Sequence, residues 1–402
     1  MGSPFLITEA LDPRRIDFLD VLRGIAIYGI LLVNVFSFGA DIPAWTGLAD
    51  QAAWLLKHLF FETKFWTVFS LLFGMGFYLQ TRSPSYRTLS TLRRLGALML
   101  FGCAHALLFE GDILMLYAQL GVFLLLLHRL PTGPLLVLGV LLCLSFPLGH
   151  LLGGDRGDDW PPEDSAEAAE WLAEERLTSP LATGGLAEVM EYHAEFIPEK
   201  FWIDWQYPDS GLMVLACLLL GFVIMRDSGQ RLQHMTQAQA GRLSLGLWLL
   251  GAALMTIERY WAVTIGYRPF DRTDALPQQI LLADCTYLAA TISLTGAWFF
   301  SVRWWVGSGM LTNLRTRIAN VGRMSLTSYI AQTLIFTTVF YGYGLGGAFT
   351  WGPATVVCLA TAIYLILLIC CSLWLARFRL GPLEWLWRSI TYWRWEPLRR
   401  GS

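Results

Sequence analysis

Charge is scarce in this chain. Only 15% of its 402 residues are Asp, Glu, Lys or Arg, whereas 55% are hydrophobic and 14% aromatic. That balance excludes an ordinary soluble enzyme and fits a protein whose solvent is the bilayer. The seven cysteines (Cys103, Cys143, Cys217, Cys285, Cys358, Cys370 and Cys371) include no CxxC and no Cys/His spacing suited to zinc, so no structural metal is expected. None of them lies in the hydrophilic stretch from Asp155 to Asp209, where a disulfide outside the cytoplasm would be at home. Nor is a cleavable signal peptide expected, and the first apolar run should persist as a span. Arg14, Arg15, Asp17, Asp20 and Arg23 precede the apolar Gly24–Phe38 run, and no small-residue cleavage site follows it. Internal repeats and matched pairs of Gly/Pro-broken spans are absent, which weighs against many transporter architectures.

What the chain does have is apolar runs from end to end, with a mean hydropathy of +0.49. They predict an all-α, polytopic helical bundle with about ten spans, near 20–38, 64–80, 94–110, 112–128, 132–153, 208–226, 240–260, 277–301, 322–341 and 352–376. Basic residues cluster in alternate connections, and by the positive-inside rule this places both termini in the cytoplasm. The chain then reads as two membrane halves, residues 1–153 and 208–402, separated by an acidic extracytoplasmic loop over 154–207. Within that loop Ser165–Leu177 has helix-forming composition and fits a helical cap; a solvated loop fits as well. A basic inner face and an acidic outer face argue against nucleic acid as a partner, and leave membrane lipids and cytoplasmic anions. The glycines and aromatics permit a homodimer without requiring one.

Ionisable residues inside such a bundle are expensive, and they are the candidates for function. Arg23 in the first span needs a partner, a watery cavity or a ligand. Asp20 lies one helical turn before it, and Arg323 heads a polar stripe of Ser325, Ser328, Tyr329 and Gln332. Arginine's planar, permanently charged fork suits phosphate, so Arg23, Arg323 and Asp20 make a candidate anion site. Towards the other end of the spans lie His105 and Asp112, seven residues apart. A carboxylate there would fix the imidazole tautomer for general-base work, provided a hairpin folds Asp112 back beyond Gly111. His58 and Glu62, four apart, form a second acid/base pair, and Asp284 could complete either site or bond a neighbouring helix. Gly74 and Gly76 are expected to permit close helix contact.

Several segments together resemble the bacterial YeiB-like family: Leu19-Asp-Val-Leu-Arg-Gly-Ile-Ala, Lys64-Phe-Trp-Thr-Val-Phe-Ser-Leu-Leu-Phe-Gly, His105 with Gly111-Asp-Ile-Leu and Tyr117, Gly322-Arg-Met-Ser-Leu-Thr-Ser-Tyr, and Gly381-Pro-Leu-Glu-Trp-Leu-Trp-Arg388. The resemblance implies a multi-pass protein of the bacterial inner membrane whose C-terminal half is a domain of unknown function. The opening is also similar to that of the transmembrane acyltransferase superfamily, which includes the acyltransferase-3 proteins and heparan-α-glucosaminide N-acetyltransferase. That similarity implies acetyl-CoA or another acyl-CoA as donor on the cytoplasmic side, and an acceptor such as a glycan, a lipid-linked group or a metabolite on the far side. In the acyltransferase-3 pattern a histidine follows the first-span arginine by eleven residues; here that position is Asn34. Asparagine cannot be a general base, so His105, or secondarily His58, has to supply that role, while Asn34 remains able to hydrogen-bond a thioester carbonyl.

The expectation is therefore a membrane acyltransferase with catalytic candidates His105, Asp112 and Asn34, second choices His58, Glu62 and Asp284, and donor-binding candidates Arg23, Arg323 and Asp20. The alternative is a transporter or flippase of a small anionic or amphipathic solute that uses the same arginines. A non-catalytic scaffold is the third reading.

Overall fold

The computed structural model describes residues 13–41, 44–84, 86–151, 165–206, 208–265 and 276–399. Among them there is no strand beyond one isolated antiparallel bridge between Phe378 and Arg399. An all-helical chain is what its composition demands, since a helix satisfies its own backbone polar groups in hydrocarbon. In chain order the helices are α1 (Pro13–Asn34), α2 (Leu48–Leu56), α3 (Lys64–Thr81), α4 (Thr88–Ala106), α5 (Leu114–Leu127), α6 (Thr132–Cys143), α7 (Ser145–Leu151), α8 (Ser165–Thr178), α9 (Pro180–Thr183), α10 (Leu186–Gln206), α11 (Pro208–His234), α12 (Gln237–Ile265), α13 (Pro277–Ser308), α14 (Thr312–Arg323), α15 (Ser325–Phe340), α16 (Pro353–Arg377) and α17 (Pro382–Tyr392). A tight turn, Val35–Phe38, follows α1, and a wider π-helical turn, Lys57–Phe61, follows α2. Proline opens α13, α16 and α17, where its missing N–H costs nothing.

Among the described residues, five stretches are long and apolar enough to cross a membrane: Phe18–Phe38, Gly211–Leu232, Gln237–Ile265, Pro277–Ser308 and Pro353–Arg377. The other expected spans fall on α3, α4, α5, α6 with α7, and α15, which are shorter or more polar. The stretch expected as one span over 322–341 is broken at Met324, which turns the chain out of helix between α14 and α15.

The bundle is drawn together by glycines. A Cβ on Gly322 would overlap the Asp20 carbonyl of α1, and one on Gly24 would overlap the Ile318 carbonyl of α14, so these two helices cross backbone to backbone. Gly74 of α3 and Gly221 of α11 make a second such crossing, against the carbonyls of Leu218 and Leu71. Arg323 therefore sits on the helix packed directly against that of Arg23. Gly322→Val should prise α1 from α14. Overpacking costs typically 1–3 kcal/mol, and more where backbone is the obstacle, so a large drop in the unfolding temperature of the detergent-purified protein is expected.

The acidic segment is helical where it is described. Leu172 of α8 is buried, Trp171 meets the Phe349 ring edge to face, Arg176 Nε donates to the Phe349 carbonyl at 2.6 Å, and Gly342 N–H donates to the Leu181 carbonyl at 2.9 Å. Helices α8 and α9 thus dock on the turn after α15, and Phe349 N–H in turn bonds the Phe38 carbonyl just beyond α1. Residues 155–164, which carry much of the negative charge of this segment, and the side chains of Arg14, Arg15 and Asp17 lie outside the described residues.

Candidate functional site

Helix α4 ends at Ala106, five residues before the Gly111 at which its end was expected. The turn that follows reverses the chain and carries Asp112 back beside His105. Nδ1 of the ring lies 2.7 Å from Asp112 Oδ2, and the other carboxylate oxygen accepts the Met115 N–H at 2.9 Å in the first turn of α5. One carboxylate therefore caps α5 and fixes the imidazole. Nε2 of His105 lies 2.8 Å from the Thr333 hydroxyl of α15. With Nδ1–H donating to Asp112, Nε2 is an acceptor and Thr333 donates to it. Both members of the pair are buried, with side chains 1% and 0% exposed. Tyr329, one turn before Thr333, lies with its ring 4.8 Å from the imidazole and donates its hydroxyl to the Gly111 carbonyl at 3.1 Å, clamping the hairpin. Asn34, the last residue of α1, makes no bond to His105, whose two ring nitrogens meet Asp112 and Thr333.

Tyr329 also faces a cavity of about 350 Å³. One end is basic: Arg23, Arg94, Arg323 and Arg379 line it, with Asp20, Glu384 and Trp387. Its walls are apolar, chiefly Ile27, Phe69, Phe73, Leu98 and Leu114, and Tyr117 and Tyr329 stand at the end next to His105. Arg23 gives one N–H to Asp20 at 2.9 Å, which leaves most of its five donors to the cavity. Gly76 of α3 leaves room for it, since even a Cβ there would stand 3.6 Å from Nη2. So Gly74 packs helices as expected, whereas Gly76 frames the arginine. Of the polar stripe on α15, Ser325 and Tyr329 line the cavity and Ser328 turns to Cys371 of α16, 3.5 Å away.

Arg94, Trp387 and Glu384 line the cavity without being among the site candidates expected from the sequence. Arg94 looks like an ordinary positive-inside residue, yet its guanidinium stacks 4.1 Å from the Trp387 ring, whose Nε1–H donates to the Arg94 carbonyl. Glu384 accepts from the Leu326 and Thr327 N–H groups, at 2.7 and 3.0 Å, and from the Thr327 hydroxyl. These bonds pin α17 to the N-terminus of α15, where a carboxylate complements the helix dipole. Burial pushes Glu384 above its ordinary carboxylate value despite them. Glu384→Ala removes hydrogen bonds to a charged acceptor, each worth roughly 1.5–3 kcal/mol. It should release α17, which limited proteolysis near Arg377 and Arg379 would register as faster cutting.

The second acid/base pair is also real, and separate. His58 Nδ1 lies 2.7 Å from Glu62 Oε2, within a cluster that includes Lys57, Lys64 and Glu258. Asp284, fully buried, precedes Tyr287 by one turn of α13, and the Tyr287 hydroxyl donates to Thr63 beside Glu62, so Asp284 belongs to this side of the bundle. The His105 dyad stands without it. Among the described residues no group of three His, Cys, Asp or Glu side chains is placed to hold a metal ion.

Residues 248–394 match the family model described as a protein of unknown function, DUF418. Three bacterial proteins are similar over nearly the full length. "Uncharacterized protein YeiB" of Escherichia coli is 32% identical, with 93% of this chain and 95% of the relative covered. "Uncharacterized protein YxaH" of Bacillus subtilis is 29% identical over 98% of each. The "Uncharacterized 39.9 kDa protein in amylase 3'region" of Bacillus acidopullulyticus is 27% identical over 97% of each. No solved structure matches the chain.

Proposed function

The chain belongs to the YeiB-like family, and on that footing we propose that it is a multi-pass membrane acyltransferase of the bacterial inner membrane, moving an acyl group, acetyl in the simplest case, from cytoplasmic acyl-CoA to an acceptor on the outer side. The observation that carries the proposal is the alignment of three parts: a basic cavity mouth, an apolar corridor, and behind its tyrosine end a histidine oriented by a buried carboxylate. This reading takes α3, α4, α5, α6 with α7, and α15 as further spans, which brings the total to ten with both termini cytoplasmic.

The arginines take the phosphates of the donor. Eleven residues of α1 separate Arg23 from Asn34, a rise of about 16 Å, which a pantetheine arm covers. A cavity of this size suits the arm and thioester while the nucleotide stays at the mouth. His105 Nε2 removes the proton from the acceptor hydroxyl or amine, which takes the place Thr333 holds in the resting site. The acceptor oxygen or nitrogen bonds to the acyl carbon, the carbon–sulfur bond breaks, and the imidazolium returns its proton to the departing thiolate. Asp112 keeps the proton on Nδ1 and stabilises the imidazolium. Tyr329 separates cavity and ring, so it must swing aside for the reaction, with Asn34 holding its hydroxyl or the thioester carbonyl.

The test is whether free thiol appears when purified protein is given acetyl-CoA and candidate acceptors, with label recovered on the acceptor. Solute flux into proteoliposomes without thioester cleavage would instead establish a transporter.

A further inference from the structure

The cluster around His58 has no part in the transfer chemistry. It is nonetheless built with unusual care. The π-helical turn Lys57–Phe61 points Lys57 and His58 inward together, and Thr63 just after it holds a positive φ of 61°. Such a conformation strains a β-branched residue and survives only where surroundings enforce it. Here Thr63 is fixed by bonds to the Glu62 carbonyl, Thr291 and Tyr287.

The charges form a graded path. Asp41 and Glu62 reach the protein surface, with side chains 46% and 30% exposed, whereas His58 is 7%, Lys57 2% and Glu258 1% exposed. Lys57 Nζ binds both Asp41 oxygens at 2.6 Å and Glu62 at 3.1 Å. Lys64 donates to the His58 carbonyl at 2.8 Å. His58 stacks on Trp54, over which Arg259 of α12 lies, while Lys64 faces the Tyr287 ring and Asp284 lies one turn from that tyrosine. At the inner end, Glu258 of α12 is fully buried and neither of its oxygens accepts a hydrogen bond; His58 Nε2, likewise unbonded, stands 3.6 Å from Oε2. A bare carboxylate in that position is costly. Three carboxylates (Asp41, Glu62, Glu258) face two ammonium groups (Lys57, Lys64), so one additional proton on the His58–Glu258 pair brings the cluster to neutrality.

We infer that His58 and Glu258 together form a proton-binding site, loaded from the solvent edge through Glu62, in which one proton is held between the imidazole and the α12 carboxylate. The ring is the relay: a proton accepted at Nδ1 from Glu62 is matched by one passed from Nε2 to Glu258, which leaves the charge of the imidazole unchanged and converts its Nε2–H tautomer to the Nδ1–H one. Burial disfavours the charged ring, but Glu258 and Glu62 outweigh it and raise His58 above its ordinary value, while Glu62, which burial alone would raise, is held low by Lys57 and His58. Since the pair titrates as a unit, its proton is assigned to both members. The site is independent of the transfer proposal and stands or falls without it.

Infrared difference spectra of the detergent-purified full chain, taken across a pH series, read this proton directly. The expected result is a protonated-carboxyl or imidazolium band that persists at neutral pH and disappears only above the ordinary histidine range. Glu258→Gln, which preserves shape, should abolish it, and Glu62→Gln should move its loss to lower pH. A histidine whose folded value is raised lends stability below its unfolded value and loses it as pH rises through the folded one, so the native unfolding temperature should fall over the same interval and the Glu258→Gln curve should be flatter. A native spectrum with neither band change would overturn the inference without recourse to a variant. So would identical titration in native protein and folded Glu258→Gln.

Discussion

Asp112→Asn should cost acyl transfer roughly 10²–10⁴-fold, the range that a positioned general base supplies, while leaving the protein folded. The asparagine carbonyl can still accept the Met115 N–H, so the cap of α5 survives. Its amide, however, presents a donor to His105 Nδ1 where the carboxylate presented an acceptor. The ring must then carry its proton on Nε2, facing Thr333, and the atom that should take the acceptor's proton has none of its basicity free. His105→Ala should be at least as damaging to transfer, but it leaves Asp112 buried without its partner, and breaking such a pair costs about 3–5 kcal/mol when it is charged. The asparagine variant is therefore the cleaner test. Turnover within a few-fold of native in a folded Asp112→Asn protein, measured by thiol release with acceptor present, would remove the dyad from the mechanism. Donor-induced stabilisation should be unchanged in both variants, because the arginine mouth is untouched.

The two ends of this site were legible in the sequence to different degrees, for physical reasons. A charged residue in an apolar run stands out because hydrocarbon penalises it, so Arg23, His105, Asp112, His58 and Asp284 all announced themselves. Their partners were harder to see. Asp112 reaches His105 only because α4 stops at Ala106 and the next seven residues turn back, which depends on tertiary clamping by Tyr329 rather than on the local glycine. Thr333 lies 228 positions from His105, and its hydroxyl is indistinguishable in sequence from one bonded to its own helix. Arg94 was masked by the rule that made it look ordinary, and Glu384 by its place in a polar helix after the last long span. Glu258, unmarked in the sequence, lies in an apolar helix near Arg259, where an i, i+1 pair gives no hint that its carboxylate points inward. The helices themselves followed from hydropathy, but which of them could cross a membrane unaided did not, because charged positions in α4 and the break at Met324 act on length and polarity together.

Arg23→Ala should abolish most of the thermal stabilisation that acetyl-CoA gives the native protein. A ligand present at about 100 times its dissociation constant stabilises the folded state by about 2.7 kcal/mol, enough to read as a clear rise in unfolding temperature. Arg23 is the expected anchor because its side chain is only 28% exposed, Asp20 fixes its direction, and its remaining donors face the cavity. A partly buried charge is little screened, so its contribution should survive moderate salt. Arg323 and Arg379 are exposed at the mouth, and their alanine variants should lose less, with a loss that shrinks as salt rises. Arg23→Lys sharpens the test: it keeps the charge but not the planar fork, so it should recover steering but not bidentate phosphate contact, and stabilisation should return only in part. Arg94→Ala should behave like Arg23→Ala, with the added loss of its stacking on Trp387. If acetyl-CoA stabilises all four alanine variants as strongly as it does the native protein, the cavity is not the donor site. If it stabilises none of them and not the native protein either, while a small amphipathic anion does so in an Arg23-dependent manner, the same arginines serve transport.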